Sequence, residues 1–171
     1  MINSERGYKP DDTYHKMIHS FGLQALRVAS AARTAGGNDA VAKFYTAIGT
    51  TIHVQKMRDG IDTDPHKFLA TMLQNHSLPT VWADSFDDET HTPLIQNETD
   101  IALSRTGKDV GTPILTFKPG QPNEGSFFGP VISKTPRGEQ AVKLWNAIEL
   151  IATTSGLAEL KRSLRSQLDF T

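Results

Sequence analysis

The sequence predicts an α/β chain that is mostly helical and carries one short β-hairpin late in the chain. Apolar residues recur at three- and four-residue steps through most of the first 106 residues, which is typical of amphipathic helices. The run Ile114 to Phe117 is instead rich in β-favouring residues. Lys118 to Gly125 contains two prolines and two glycines, a composition typical of a hairpin loop, and Ser126 to Phe128 would be the return strand.

The helical part divides at its caps and breakers. Asp11 or Asp12 can cap a first helix, and Gly36-Gly37 can adopt the left-handed geometry that ends it. Asp64-Pro65 suits the start of a later helix because proline is favoured at the first helical position. The predicted helices cover 13–35, 38–55, a segment from 65 with Phe68, Leu69, Met72 and Leu73 buried, 81–85, and 88–105.

Two further helices are predicted after the hairpin. Thr135-Pro136 opens a long one, Gly156 ends it, and a last helix would span 157–168. The long helix should bury one apolar side on the hairpin. Its core candidates are Val142, Leu144, Trp145, Ile148 and Ile151.

Composition excludes several classes of function. A chain of 171 residues predicts one domain, or one domain with a subdomain. Its net charge of -1 and the lack of a long basic run argue against a nucleic-acid partner. No apolar stretch approaches the roughly 20 residues of a membrane helix, so no membrane partner is expected. The polar N-terminus lacks a signal-peptide pattern, which favours a cytoplasmic protein.

The chain contains no cysteine, which excludes disulfides, thiolate nucleophiles and cysteine-zinc sites within it. His15 and His19 have a helical spacing that can bind metal, but no acidic residue nearby completes a ligand set. No Gly-rich phosphate loop is present. We therefore expect no catalytic residue, no metal site and no bound cofactor in this chain.

Several runs of the sequence carry a family resemblance. They are Val110-Gly111-Thr112-Pro113, Phe127 through Glu139, Phe44 through Gly49 followed by Ile52-His53, and Arg27-Val28-Ala29 with Ala31-Ala32. Together and in this order, they resemble the DsbA-like thioredoxin-fold oxidoreductases that include mycothiol-dependent nitroreductases. Kappa-class glutathione transferases and 2-hydroxychromene-2-carboxylate isomerases are more distant relatives of that family. The resemblance implies an incomplete thioredoxin-like fold, with 1–108 as a helical insert or lid and 109–171 as the C-terminal part of the thioredoxin-like domain.

The resemblance also implies a substrate-binding site. In the family, the proline that corresponds to Pro113 is cis, and the residue before it offers backbone groups to an extended thiol substrate. Val110, Gly111, Thr112, Pro113 and Phe128 are therefore the predicted substrate-binding residues, with a low-molecular-weight thiol or a protein thiol as substrate. On the residues alone, Pro113 can also be an ordinary proline at a strand start, and Phe127 or Phe128 a plain core residue.

The departure from the family is the missing Cys-x-x-Cys half. Met1 to Ser4 align just after the second strand of the family's fold. A start assigned too far downstream or a shortened chain, a natural truncation, or a partner chain that supplies the missing half would each explain this. The hypothesis is a DsbA-like oxidoreductase part that is inactive in thiol chemistry; the alternative is a non-catalytic binding or assembly module.

The missing first strand also leads to a prediction about assembly. In the resembled fold that strand pairs with the strand holding Ile114 to Phe117. Without it, an edge of unpaired N–H and C=O groups would be open to another chain. We therefore expect a homo-oligomer, most simply a two-fold homodimer.

Overall fold

The computed structural model describes residues 13–162 and residue 169, and for 13–19 the backbone alone. The chain forms two compact units that divide between Thr99 and Asp100, and each unit is described by itself. The described part is mostly helical with one two-stranded antiparallel sheet, which confirms the α/β class. The helices are α1 (Thr13–Gly49), α2 (Pro65–Asn75), α3 (Thr92–Thr106) and α4 (Gly138–Thr153), and the strands are β1 (Ile114–Phe117) and β2 (Gly125–Phe128). Shorter helical turns cover Thr50–Val54, Thr80–Ser85 and Glu89–His91.

Helix α1 contains the predicted break. Gly36 has φ -152° and Gly37 has φ 64° and ψ -158°, so the helical backbone is interrupted there and resumes afterwards. The chain then runs on through Gly49 into a π-helical turn, Thr50–Val54. The end of this segment near residue 55 is confirmed, whereas the π-helical geometry had no signal in the apolar pattern. The predicted caps Asp11 and Asp12 lie outside the described residues.

Helix α2 begins and packs as its sequence predicts. The Asp64 side chain accepts a hydrogen bond from the Lys67 backbone N–H at 2.9 Å, and Pro65 occupies the first turn. Leu69, Met72 and Leu73 are buried, and the Phe68 ring lies edge-on to Phe21. This side of α2 belongs to the core of the first unit, which also contains Val28, Ala32, Phe44, Ala47, Ile61, Trp82, Ala83 and Phe86.

The segment predicted as one helix from 88 to 105 is divided in two. A 3₁₀ turn at Glu89–His91 leads directly into α3, and Pro93 is the second residue of that helix. Its end is confirmed at Gly107, which has φ 91° and donates its N–H to the Leu103 carbonyl. Proline has no backbone N–H to donate, so it breaks a helix interior but is tolerated in the first turn. For this reason α3 begins just before Pro93, and the preceding residues form a separate 3₁₀ turn.

The second unit is built on the predicted hairpin. Pairing runs from Ile114 with Phe128 to Phe117 with Gly125, and α4 packs on one face of these two strands. The buried Phe117 ring lies 5.1 Å from the ring of Trp145. Gly125 approaches the end of α4 so closely that an added Cβ would lie 2.0 Å from the Ala152 carbonyl oxygen.

The core predicted for α4 is only partly correct. The helix begins at Gly138, two residues after Pro136, and Leu144, Ile148 and Ile151 are half-buried. Val142 is 60% exposed and Trp145 is 54% exposed, so their assignment to the core was wrong. The hairpin has only two strands, which are too narrow to cover the whole apolar side of α4, so some apolar side chains of the helix remain exposed.

The predicted last helix, 157–168, is wrong where it can be compared. Residues 157–162 have no helical structure and are exposed, with Leu160 at 73%; residues 163–168 lie outside the described part. A short amphipathic helix is marginal without a packed apolar face, and the leucines of this segment find none. Across the described residues, no helix is both long and apolar enough to cross a membrane.

Candidate functional site

The five predicted substrate-binding residues lie at one end of the hairpin. Residues 110–113, here called the prolyl loop, lead directly into β1, and Phe128 ends β2 opposite Ile114. The Gly129 N–H donates to the Pro113 carbonyl at 2.8 Å, which extends the hairpin pairing to the loop. An added Cβ on Gly111 would lie 3.5 Å from the Phe128 ring, so this ring rests against the loop backbone. The structure therefore brings these residues together.

The Thr112–Pro113 peptide bond is cis, as the resemblance implies. A second cis bond, Gly129–Pro130, follows β2 at the same end of the hairpin and had not been anticipated. Gly129 is buried and has φ 103°, a left-handed conformation that favours glycine. This conformation accompanies the Gly129 N–H bond to Pro113, so the return strand helps to hold the loop.

The two faces of the hairpin have different roles. Phe117 and Gly125 contact α4, and strand alternation places Leu115 and Phe127 on that same face. The opposite face carries Ile114, Thr116, Ser126 and Phe128, and the hydroxyls of Thr116 and Ser126 are 2.9 Å apart. Phe127 is thus the packing residue of the aromatic pair, while Phe128 is the one that borders the prolyl loop.

The prolyl loop has the chemistry of a binding surface. Thr112 and Pro113 are exposed, and in the described part of the chain the Thr112 backbone N–H and C=O have no hydrogen-bond partner. Free backbone groups beside a strand can pair with an extended ligand segment. The five residues carry no titratable side chain, and the chain has no cysteine, so this loop can hold a ligand but cannot attack it.

Metal chemistry finds no support among the described residues. In that part of the chain, no group of three or more His, Asp or Glu side chains is arranged to hold an ion. The side chains of His15 and His19, the pair with metal-binding spacing, lie outside the described residues.

A polar network in the first unit had no clear signal in the sequence. The buried Arg27 donates from Nε to the Thr92 hydroxyl at 3.2 Å, and its Nη2 lies 3.6 Å from Glu89. His91 Nδ1 is 2.9 Å from the hydroxyl of the buried Ser30. Glu89 lies within ion-pair distance of this buried cation, although the Glu89 side chain itself is 85% exposed. The network joins α1 to the start of α3.

Asp88 belongs to the same network. The Thr90 side chain and, with a smaller effect, the Thr90 backbone N–H donate hydrogen bonds to the Asp88 carboxylate and so lower the pKa of Asp88. The charges of His91 and Arg27 act in the same direction. Ser30, His91 and Asp88 do not form a nucleophilic triad. Ser30 is buried within α1, and His91 Nε2 is 3.8 Å from Asp88 Oδ2, beyond hydrogen-bond distance. Their role is to hold the two segments together.

Comparison with known families identifies the class of protein. Residues 1–162 match the family model described as Rv2466c-like, mycothiol-dependent nitroreductase Rv2466c, which is a family of thiol-related oxidoreductases. The match covers nearly the whole chain. The chain therefore belongs to the Rv2466c-like family.

Proposed function

We propose that these 171 residues bind a thiol or disulfide substrate at the prolyl loop, as the substrate-holding part of a DsbA-like, thioredoxin-fold oxidoreductase. The observation that carries the proposal is the exposed prolyl loop at the end of the hairpin, where the Thr112 backbone groups have no partner among the described residues and Phe128 lies against Gly111. The proposal keeps 1–108 as the lid and 109–171 as the thioredoxin-like part. It places the protein in the cytoplasm, the compartment where thiols are kept reduced.

The contribution of this chain to the reaction is positioning. Thiol–disulfide exchange proceeds by attack of a thiolate on a sulfur, through a mixed disulfide. Without a cysteine, no residue of this chain can become that thiolate or form that intermediate. The exposed peptide groups of Thr112 can pair with an extended thiol-bearing backbone, and Phe128 supplies an apolar border beside them. The nucleophilic sulfur has to come from outside these 171 residues.

An NMR titration with mycothiol disulfide tests the binding proposal. The amides of Gly111, Thr112 and Ile114 should shift, because the ligand pairs with this backbone. Thr112→Arg places a bulky charged side chain at the exposed position and should abolish the shifts. Asn123→Arg, exposed in the loop at the opposite end of the hairpin, is the charge-matched control and should bind like the parent chain. Shifts that Thr112→Arg leaves unchanged would refute the site.

A turnover assay tests the expected inactivity separately. The purified chain, mixed with mycothiol and a nitroaromatic compound, should reduce the nitro group no faster than buffer with mycothiol, because the chain has no thiolate. Turnover above that background which Thr112→Arg removes would show that the chain is itself catalytic.

The alternative is a non-catalytic binding or assembly module made from the helical unit. The observation in its favour is that this unit has a core of its own, formed by α1, α2 and the turn Thr80–Ser85. Under this alternative, mycothiol disulfide leaves the prolyl-loop amides unshifted, and the titration above therefore separates the two candidates.

A further inference from the structure

The first unit contains a cleft whose lining residues do not include those of the prolyl loop. It has a volume of about 360 Å³ and is formed between the chain that follows the π-helical turn and one flank of α2. This volume lies within the range of about 300–1,000 Å³ that is typical of small-molecule sites. We propose that this cleft binds an uncharged aromatic molecule that carries a hydrogen-bond acceptor.

Backbone contacts shape the cleft. The Met57 N–H donates to the carbonyl of Thr51 at 3.0 Å, which turns the chain back over the helix. An added Cβ on Gly60 would lie 3.1 Å from the Phe68 ring, so glycine lets the loop lie directly against this ring. Asp64 fixes the other end of the loop as the cap of α2. The walls are therefore formed before a ligand arrives, which lowers the entropic cost of binding.

The apolar part of the cleft suits an aromatic ring. Met72 is buried at the base, Phe68 is half-buried, and Met57 is 52% exposed on the opposite wall. Thioether sulfur makes favourable contacts with aromatic rings, and aromatic pairs gain energy beyond the area they bury. Thr51, also lining the cleft, is 5% exposed and lies 3.1 Å from His76 Nε2, so its hydroxyl already has a partner.

The polar part of the cleft supplies donors. Lys67, Thr71 and Asn75 follow one another at four-residue steps, so they form a stripe along α2 beside the stripe of Phe68 and Met72. Within the described residues, the side chains of these three have no hydrogen-bond or ion-pair partner. The Lys67 ammonium and the Asp64 carboxylate both border the cleft and balance in charge, which favours an uncharged ligand with an acceptor atom.

NMR titration of the whole chain with acetophenone tests this site. The amides of Met57, Phe68, Met72 and Asn75 should shift and saturate together. Cyclohexyl methyl ketone keeps the carbonyl but lacks the aromatic ring, so it should bind at least about fivefold more weakly because its contacts with Phe68 and the thioethers lose their aromatic part. Benzoate brings a negative charge beside the Asp64 carboxylate and should also bind at least about fivefold more weakly. Equal affinity for the three compounds, or no shift at these amides, would overturn the proposal.

Variants connect the affinity to particular side chains. Lys67→Met removes the ammonium donor, and Met57→Ala truncates one of the three apolar side chains that line the cleft. Both residues are exposed, so the fold should be retained. Each should weaken acetophenone binding about fivefold or more. Lys43→Met, exposed on α1 and outside the cleft, is the matched control and should bind like the parent chain. If both cleft variants keep the amide chemical shifts of the folded chain and bind acetophenone with unchanged affinity, the proposed site is refuted.

Discussion

Replacing Gly125 with alanine tests how closely α4 must approach the hairpin that carries the prolyl loop. The new Cβ would lie 2.0 Å from the carbonyl oxygen of Ala152, 2.5 Å from its carbonyl carbon and 3.0 Å from the Cα of Thr153. All three are backbone atoms, so no side-chain rotation can relieve the overlap. To restore an ordinary contact, the strand and the helix end must separate by about 1 Å or more in a close-packed interior.

The expected cost follows from this displacement. Overpacking a well-packed interior costs about 1–3 kcal/mol, and a purely backbone overlap belongs in the upper part of that range. We expect Gly125→Ala to destabilise the second unit by about 2 kcal/mol or more, a change of roughly thirtyfold in its opening equilibrium. The separation should also loosen the contact between Phe117 and Trp145, since the two rings belong to the same interface.

Amide hydrogen exchange reports the stability of each unit separately. Global unfolding does not, because both units contribute to it. Exchange should accelerate by roughly thirtyfold in β1 and β2, and remain unchanged in α2. Gly22→Ala is the control, because nothing lies within 4 Å of its added Cβ, and it should stabilise α1 by about 0.5–1 kcal/mol. Unaltered exchange in β1 and β2 of Gly125→Ala would refute the packing argument.

Three further predictions concern the cap, the polar network and assembly. Asp64→Ala should destabilise α2 by about 1 kcal/mol, measured by amide hydrogen exchange, because its first turn loses its side-chain acceptor, whereas Asp62→Ala, with no cap bond, should be neutral. Hydrogen bonds from Thr90 are the main reason that the pKa of Asp88 is lower in the folded chain than in the unfolded chain. The ionised Asp88 therefore stabilises the fold at pH values above its unfolded pKa, and this stabilisation is lost as the pH falls through its folded pKa. Asp88→Asn should remove this loss of stability on the acid side of a profile of unfolding free energy against pH, and an unchanged profile would contradict the prediction. The edge of Ile114–Phe117 that does not face β2 has no strand partner in the described part of the chain, and we propose that a second copy covers it in a two-fold homodimer. Sedimentation equilibrium at micromolar concentration should give twice 18.8 kDa, and a clean monomer would refute the dimer.

Local chemistry in the sequence determined the boundaries of most elements. A Gly-Gly pair can end a helix, an Asp-Pro pair can begin one, and a β-favouring run before a loop rich in Pro and Gly makes a hairpin. Each signal acts within a few residues, which is why the break at Gly36-Gly37, the start of α2 and the strand at Ile114 were predicted correctly. The absence of cysteine likewise required no structure.

The residues of the prolyl loop were predicted from the resemblance, because the run Val110 to Pro113 matches a family motif. Composition and spacing alone left Pro113 as an ordinary strand proline. They could not show that Gly129, sixteen residues later, donates its N–H to the Pro113 carbonyl. That bond depends on the hairpin register, which is a property of the paired strands.

Tertiary packing decided how much of each apolar face is covered. The pattern of α4 is the same whether Val142 and Trp145 are buried or exposed, because periodicity describes the helix and not its neighbours. The segment 157–162 has helical periodicity too, yet it stays irregular where its leucines are exposed. The Arg27 network likewise joins residues more than 60 positions apart in the chain, since long-range contacts create it and a local pattern cannot encode it.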